Sequence, residues 1–402
     1  MRPIRETIPL DEAIAIISEA TAPIDRVETV ALPEASGRVI AEPAAAAMDV
    51  PPFDRAAMDG YAVIAEDTFG AGRYEPRVLR CVETVYTGQL PSKRVAHGEC
   101  IEIATGAPLP EGADAVVMVE ETLKTANGDV QIFTPVYPRQ HVGRRGADIA
   151  AGQAVLAPGD VLNPSRIGAL AAIGTTQVRV YERPRVAILS TGNEIVAPGQ
   201  PLQPGQIYDI NRFTLAAVIR THGGVAVEQP TAPDNLDQLT DAVLQASSTD
   251  LVVFSGGSSV GERDLIMDVL QRSGDVLFHG IAVKPGKPTV FGRVNGRPVL
   301  GMPGYPTSCL SNAYMLLVPA LRRMARLPDY RPQTVRVPLS RRIVSTTGRR
   351  QFYTVRIVDG AAVPAFKASG DITSMSQADG YIEISEQTDI VEAGELVEVR
   401  LF

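Results

Sequence analysis

Residues 250–264 carry the densest chemistry in the chain: an apolar run, Leu251 to Phe254, then Gly256, Gly257 and Gly261, then an apolar-periodic segment, Leu265 to Leu270. Strand, glycine turn and helix is the order that aims backbone N–H groups and a helix N-terminus at an anion. The glycines do not fall as G-x-G-x-x-G. Gly256 and Gly261 have P-loop spacing, but Glu262 stands where the phosphate lysine belongs. The turn therefore reads as a phosphate cradle of another kind, with Ser258 inside it and Asp264 placed to hold a cation beside the phosphate.

Other loops combine glycine, proline and charge in ways that packing does not demand. Ser190-TGNE-Glu194 sets a carboxylate at the end of an apolar strand, and Asp234 follows a second strand in PTAPDNLDQL. Asp234 also has a plain structural reading, as a helix N-cap. Val283-KPGKP-Pro288 carries Lys284 and Lys287 on a stiff loop closed by Pro288, where two ammonium groups favour a bound anion. Met302-PGYPTS-Ser308, with Pro303 and Pro306, precedes a helix. Nearer the start lie Asp54, Arg55 and Asp59 in PPFDRAAMDGYA, Thr105 and Gly106 after a strand, and Asp148 behind two arginines in GRRGADI. Turns fixed by Asx hydrogen bonds, or solvated turns, are the alternative account of these three. Acids at successive strand ends with two lysines imply a phosphorylated ligand with a divalent cation, and a second anion near the lysines. Oxygen-only ligands favour Mg2+ over zinc. No Ser-His-Asp set, HExxH motif or catalytic-cysteine motif is visible.

Apolar periodicity places the elements that hold these loops. Leu10 to Ala20 reads as a helix, and Leu32 to Glu42 as a second. Short β-like runs fill the stretch from about Arg77 to Val136, with a hairpin turn at Asn127-Gly128. A helix is expected near Pro164 to Ile173. From Arg185 to about Arg326 strands and helices alternate, which predicts a doubly wound α/β domain with ligands at the carboxyl ends of its strands. It includes a hairpin turning at Asn295-Gly296. Pro332 to Phe402 returns to a β pattern suited to a small barrel or sandwich. The expected domains are an elongated N-terminal one (1–47 and 143–180), an inserted β domain (48–142), the α/β domain (181–328) and a C-terminal β domain (329–402).

The composition narrows the class. The 402 residues are 45% hydrophobic and 21% charged, with a net charge of −8, which speaks against a nucleic-acid partner. Cys81, Cys100 and Cys309 are scattered and odd in number, so neither a disulfide framework nor a zinc site is expected. The N-terminal residues lack the apolar stretch of a signal peptide, and no run is long enough to span a membrane. A cytoplasmic protein is expected.

At the residues quoted above the chain resembles the molybdopterin molybdenumtransferase family, enzymes that insert molybdate into molybdopterin. The shared text is PPFDRAAMDGYA, ATGAPLPEGADAVVMVE, GRRGADI, STGNE, SGGSSVGERD, KPGKP and MPGYPTS, in that order over almost the whole chain. The resemblance implies four domains, adenylated molybdopterin and molybdate as substrates, Mg2+ and release of AMP. It also implies a homodimer in which one subunit's α/β domain faces the other's N-terminal loops, and contact with other molybdenum cofactor enzymes. By position it assigns Asp59, Thr105 and Asp148 to the N-terminal side of the cleft. Glu194, Asp234 and Asp264 become the acidic set near the pyrophosphate, with Glu194 and Asp264 on the metal. Gly256, Gly257, Ser258 and Gly261 cradle the pterin nucleotide. Lys284, Lys287, Pro288, Arg350 and Ser374 fall to the molybdate pocket. The sequence departs from many relatives by lacking a lysine just before KPGKP and by having Tyr305 where asparagine is frequent. Two other readings share the fold: a non-catalytic scaffold, as in gephyrin, and a tungstate-inserting enzyme. Intact acids at Asp59, Asp148, Glu194 and Asp264 favour the enzyme.

Overall fold

A computed structural model describes residues 6–256 and 265–402. The chain divides into two compact units. One comprises residues 29–36 and 40–179, the other residues 1–28, 37–39 and 180–402. Helix α1 (Leu10–Ala20) belongs to the second unit, where Leu10, Ala13 and Ile17 are buried in one core with Leu215, Ile219, Leu317 and Leu321.

The unit of residues 29–36 and 40–179 is built on a six-stranded sheet. Its strands are β1 (Gly60–Val63), β2 (Arg77–Val85), β3 (Glu99–Ile103), β4 (Ala115–Met118), β5 (Thr122–Lys124) and β6 (Val130–Ile132), in the order β4-β1-β3-β2-β6-β5. Strands β2 and β3 run parallel, and β5 and β6 form the expected antiparallel hairpin through Asn127-Gly128. Helix α2 (Pro164–Ala172) starts on Asn163, whose side chain accepts from Arg166 N, with Pro164 in the first turn. The helix expected over Leu32–Glu42 does not form. Only a short 3-10 turn, Leu32–Glu34, is present, and Gly37 follows at φ +72°. Pro33 and this left-handed glycine stop the helix, although the apolar spacing alone had suggested one.

In the other unit a mixed sheet lies between helices. It contains β7 (Arg185–Ser190), β8 (Val225–Glu228), β9 (Leu251–Ser255), β10 (Gly274–His279), β12 (Val290–Val294) and β13 (Arg297–Met302), with a short strand β11 (Val283–Lys284) outside it. The order is β8-β7-β9-β13-β12-β10; the first four strands are parallel, and β12 pairs antiparallel with both β13 and β10. Alternation along β7 and β9 shows why both faces are covered. Val186, Ile188, Leu251 and Val253 enter one core with helix α3 (Asn211–Thr221), while Ala187, Leu189, Val252 and Phe254 enter another with helices α4 (Leu236–Ala246) and α5 (Leu265–Ser273). The β12–β13 hairpin turns at Asn295 and Gly296, both at positive φ, as a type I′ turn requires. After β13 come α6 (Pro306–Asn312), a π-helical turn (Ala313–Leu317) and α7 (Val318–Met324).

The C-terminal part of this unit holds β14 (Thr334–Pro338), β15 (Arg350–Val358), β16 (Ala361–Pro364), β17 (Gly380–Ile384) and β18 (Leu396–Leu401). The order β15-β17-β18-β14 is extended at one end by β11, which pairs with β15 in parallel, Val283 opposite Arg350 and Lys284 opposite Gln351. Among the described residues no helix is long and apolar enough to cross a membrane.

Candidate functional site

The carboxyl ends of β7, β9 and β13 bring several sequence-predicted loops together. Thr191 N donates to Ser255 O at 3.1 Å, and Gly256 N donates to Met302 O at 3.3 Å. Gly256 sits at φ +100°, and a Cβ there would come within 2.7 Å of Thr191 O. A side chain is excluded, so the glycine is required by close approach and by φ together. Gly304, next to Pro303, lies against the Gly256 Cα. Gly257, Ser258, Gly261 and Asp264, assigned to the cradle and its cation, lie outside the described residues.

Glu194 is exposed, and its carboxylate lies over Gly192, where an added Cβ would meet both oxygens at 2.7 Å. Asp234 adjoins it through Asn193, whose Oδ1 accepts from Asp234 N at 3.4 Å. The N-cap of α4 is not Asp234 but Asn235, whose side chain accepts from Asp237 N and Gln238 N. The structural reading of Asp234 is thereby replaced, and its exposed carboxylate stays on the loop. Among the described residues no group of three or more His, Cys, Asp or Glu side chains is arranged to hold a metal.

Asn211, which the sequence reading passed over, joins two of these turns. Its Nδ2 donates to Ser255 Oγ at 2.6 Å and to Gly304 O at 2.8 Å. Ser190 Oγ, Thr191 Oγ1 and Asn211 Oδ1 are buried without a hydrogen-bond partner among the described residues. Buried polar atoms are nearly always paired, so these three, two at the end of β7 and one at the start of α3, stand out among the described residues beside Gly256. Arg212 and Asp209 pair beside them at 3.1 Å, both largely buried.

Helix α6 links this place to the lysine loop. Pro306 occupies its first turn, and Asn312 ends it. Asn312 Nδ2 donates to Gly286 O at 3.0 Å and to Thr289 Oγ1 at 2.6 Å, while Thr289 Oγ1 donates to Gly286 O at 2.8 Å. Gly286, at φ +110°, has no room for a Cβ, which would fall 2.1 Å from Asn312 Oδ1. Lys284 Nζ donates to Thr346 Oγ1 at 2.8 Å. The backbone carbonyl of Lys287 accepts from Ile281 N and Thr289 N, which fixes the loop as far as Pro288. A polar Asn312 within the run CLSNA was the one sequence signal that could have revealed this post.

Arg350 and Ser374 are held by other groups. Arg350 Nη1 and Nη2 make a bidentate pair with Asp11 at 2.9 and 2.8 Å. Hydrogen bonding by Arg350 holds the Asp11 carboxyl below the usual carboxylate range. Ser374 is fully buried, and its Oγ accepts from Lys367 N at 3.0 Å. Thr307 Oγ1 donates to Asp371 O at 2.9 Å, which ties the Ser374 segment to α6. Tyr305 is 65% exposed and touches Gly370.

The unit of residues 29–36 and 40–179 brings its own three loops together. Ala56 N donates to Ala107 O and Gly106 N to Ala56 O, while Ala57 N reaches His141 O and Asp148 N reaches Val50 O. Asp59 Oδ1 accepts both Thr105 N at 2.7 Å and Thr105 Oγ1 at 2.9 Å. The backbone bond from Thr105, then its hydroxyl, holds the Asp59 carboxyl below its ordinary range. Asp54 instead braces the loops: Oδ1 accepts from Arg145 N at 2.7 Å and Oδ2 from Arg139 Nη1 at 3.0 Å. Asp148 is exposed, so Asp59 and Asp148 both present carboxylates from the joined loops.

The comparisons with known proteins follow this layout. Residues 8–174 match the MoeA N-terminal region (domain I and II), residues 187–323 a probable molybdopterin binding domain, and residues 336–402 the MoeA C-terminal region (domain IV). Molybdopterin molybdenumtransferase 2 of Mycobacterium tuberculosis is 37% identical over 412 residues, covering 99% of each chain. Two crystal structures of molybdopterin biosynthesis MoeA proteins from Pyrococcus horikoshii superpose with TM-scores of 0.84 and 0.82, at 40% and 32% identity. They cover 98% and 99% of this chain and 99% and 100% of theirs. Sequence, domain order and fold agree from one end to the other: the chain belongs to the molybdopterin molybdenumtransferase (MoeA) family.

Proposed function

We propose that the chain is a molybdopterin molybdenumtransferase that inserts molybdate into adenylated molybdopterin and releases AMP. Family membership puts it in molybdenum cofactor biosynthesis. The observation that carries the finer reading is the set of orphaned polar atoms on Ser190, Thr191 and Asn211 beside Gly256, a close backbone cradle at strand ends. Phosphate oxygens and a pterin offer the donors and acceptors such a place lacks. Molybdate is assigned to the lysine loop, where Lys284 and Lys287 would neutralise it. There the two dithiolene sulfurs would replace molybdate oxygen, which leaves as water with the thiol protons, while water cleaves the phosphoanhydride to AMP and the pterin phosphate.

Mg2+ fits the acids present. That ion is held by one or two carboxylates with substrate phosphates and water, and needs no all-protein cage. Glu194 and Asp264 are the acids assigned to it, and Asp234 stands on the turn adjoining Glu194. When bound, Mg2+ would offset pyrophosphate charge. Asp59, Thr105 and Asp148 are assigned to substrate contact, and the active form to a homodimer, which sedimentation at several concentrations tests. The decisive experiment supplies adenylated molybdopterin, Mg2+ and molybdate and follows AMP and active cofactor. Formation of both that requires molybdate supports the reading; AMP release indifferent to the oxyanion sinks it.

A further inference from the structure

Cys81 and Cys100 face each other across two strands. They are register partners on β2 and β3, which run parallel, and the register slips immediately afterwards, between Cys81 and Glu83. Register partners on neighbouring strands project to the same side of a sheet, with backbones ~4.8 Å apart. Disulfide-linked residues have Cα atoms roughly 4.4–6.8 Å apart, so the ladder already holds this pair at bonding range. Cys100 is fully buried, whereas Cys81 is only partly covered, and its thiol donates to Glu83 O at 3.4 Å. Both thiols are free.

The basic cleft lined by Arg80, Val82, Lys93, Arg94 and Glu99 opens on the other face of the sheet, because Arg80 and Glu99 are register partners one position before the cysteine pair. The charged side chains on the thiols' own face include Glu102 and Lys124, which pair with each other at 2.8 Å. A small disulfide needs no particular charge to reach Cys81, which is only partly covered.

We propose that Cys81 and Cys100 form a redox-modification site that a low-molecular-weight disulfide oxidises. Cys81 thiolate attacks one sulfur of that disulfide. A mixed disulfide forms on Cys81, and one small thiolate leaves and is protonated. Cys100 then loses its proton, attacks the Cys81 sulfur and expels the second small thiolate. Two protein thiols are oxidised to one disulfide, and the small disulfide is reduced to two thiols. The roles are unequal for a physical reason. Cys81 is only partly covered, and the Cys100 thiol beside it draws its pKa below the usual range, while Cys81 and burial push the fully buried Cys100 up. Cys81 is therefore the attacking group and Cys100 the resolving one.

The test uses the full-length reduced protein, oxidised glutathione as the probe, an acid quench, and intact and peptide mass spectrometry. Wild type is expected to lose two hydrogens and give a linked Cys81–Cys100 peptide that dithiothreitol reverses. Cys100→Ser is expected to stop at a glutathione adduct on Cys81, and Cys81→Ser to remain unmodified at Cys100. Thermal unfolding of both variants checks that the sheet is intact, and Cys81→Ala and Cys100→Ala replace any variant that is not folded. An unmodified wild type, a wild-type adduct that never closes, or a Cys81→Ser protein that reacts at Cys100 would overturn the proposal.

Discussion

Asn312 and Thr289 form a hydrogen bond of 2.6 Å between two side chains that solvent does not reach. Asn312 ends α6, whereas Thr289 follows the lysine loop, so this bond transfers the position of the helix to Lys284 and Lys287. Breaking a buried pair leaves a polar atom unsatisfied at about 1–3 kcal/mol. Asn312→Ala and Thr289→Val should each lower the melting temperature. Their double variant should lose less than the sum, because residues in contact couple by roughly 0.5–3 kcal/mol. Strict additivity in denaturant unfolding would show that the bond does not brace the loop.

Lys287→Ala should raise the molybdate concentration for half-maximal AMP release by at least about tenfold, equivalent to ~1.4 kcal/mol. Binding of adenylated molybdopterin should change much less. The opposite pattern, weaker pterin with unchanged molybdate dependence, would assign the lysine to the phosphates.

Asp59 and Asp54 stand five positions apart and should fail differently. Asp59→Asn keeps an oxygen for Thr105 while removing the charge, so turnover should fall with little change in melting temperature. Asp54→Ala removes the acceptor of Arg145 N and Arg139 Nη1 and should lower the melting temperature. Full turnover in Asp59→Asn would take that carboxylate out of the mechanism.

His222 gives a pH signature. Burial against Tyr314 and Tyr330 lowers its pKa from 6.5 to about 4. The unfolded chain binds the proton first as pH falls, so stability drops from about pH 6.5 down to about pH 4 and this contribution vanishes above that window. His222→Gln should flatten the fall of unfolding free energy across that interval. A slope identical to wild type in denaturant titrations would show that other groups set it.

Local signals made much of this fold legible. Apolar runs marked β7 and β9, Asn-Gly pairs marked two hairpins, and glycine-rich text after strands marked the turns that meet at Gly256. Leu32–Glu42 misled because spacing outweighed Pro33 and Gly37. Asp54 and Asp59 could not be ranked from sequence, since both are acids in one aperiodic loop and only their partners, Arg145 and Thr105, separate brace from exposed site. Arg350 was legible as a basic residue in a turn, yet its partner Asp11 lies 339 positions away, where no periodicity reports it. Asn211 and Asn312 escaped for the same reason, because their roles exist only after distant turns have come together.

The parallel pairing of Val283–Lys284 with Arg350–Gln351 bears on how such a chain can be recombined. The regions recognised as separate modules end at residue 323 and resume at residue 336, which suggests a clean seam for swapping. The backbone ladder crosses that seam. A chimera that imports a foreign C-terminal region inherits responsibility for the lysine loop's edge and for the Asp11 partner as well. Grafts should therefore succeed as matched sets of α1, the lysine loop and the C-terminal strands rather than as single modules, and drift in any one of the three is constrained by the other two.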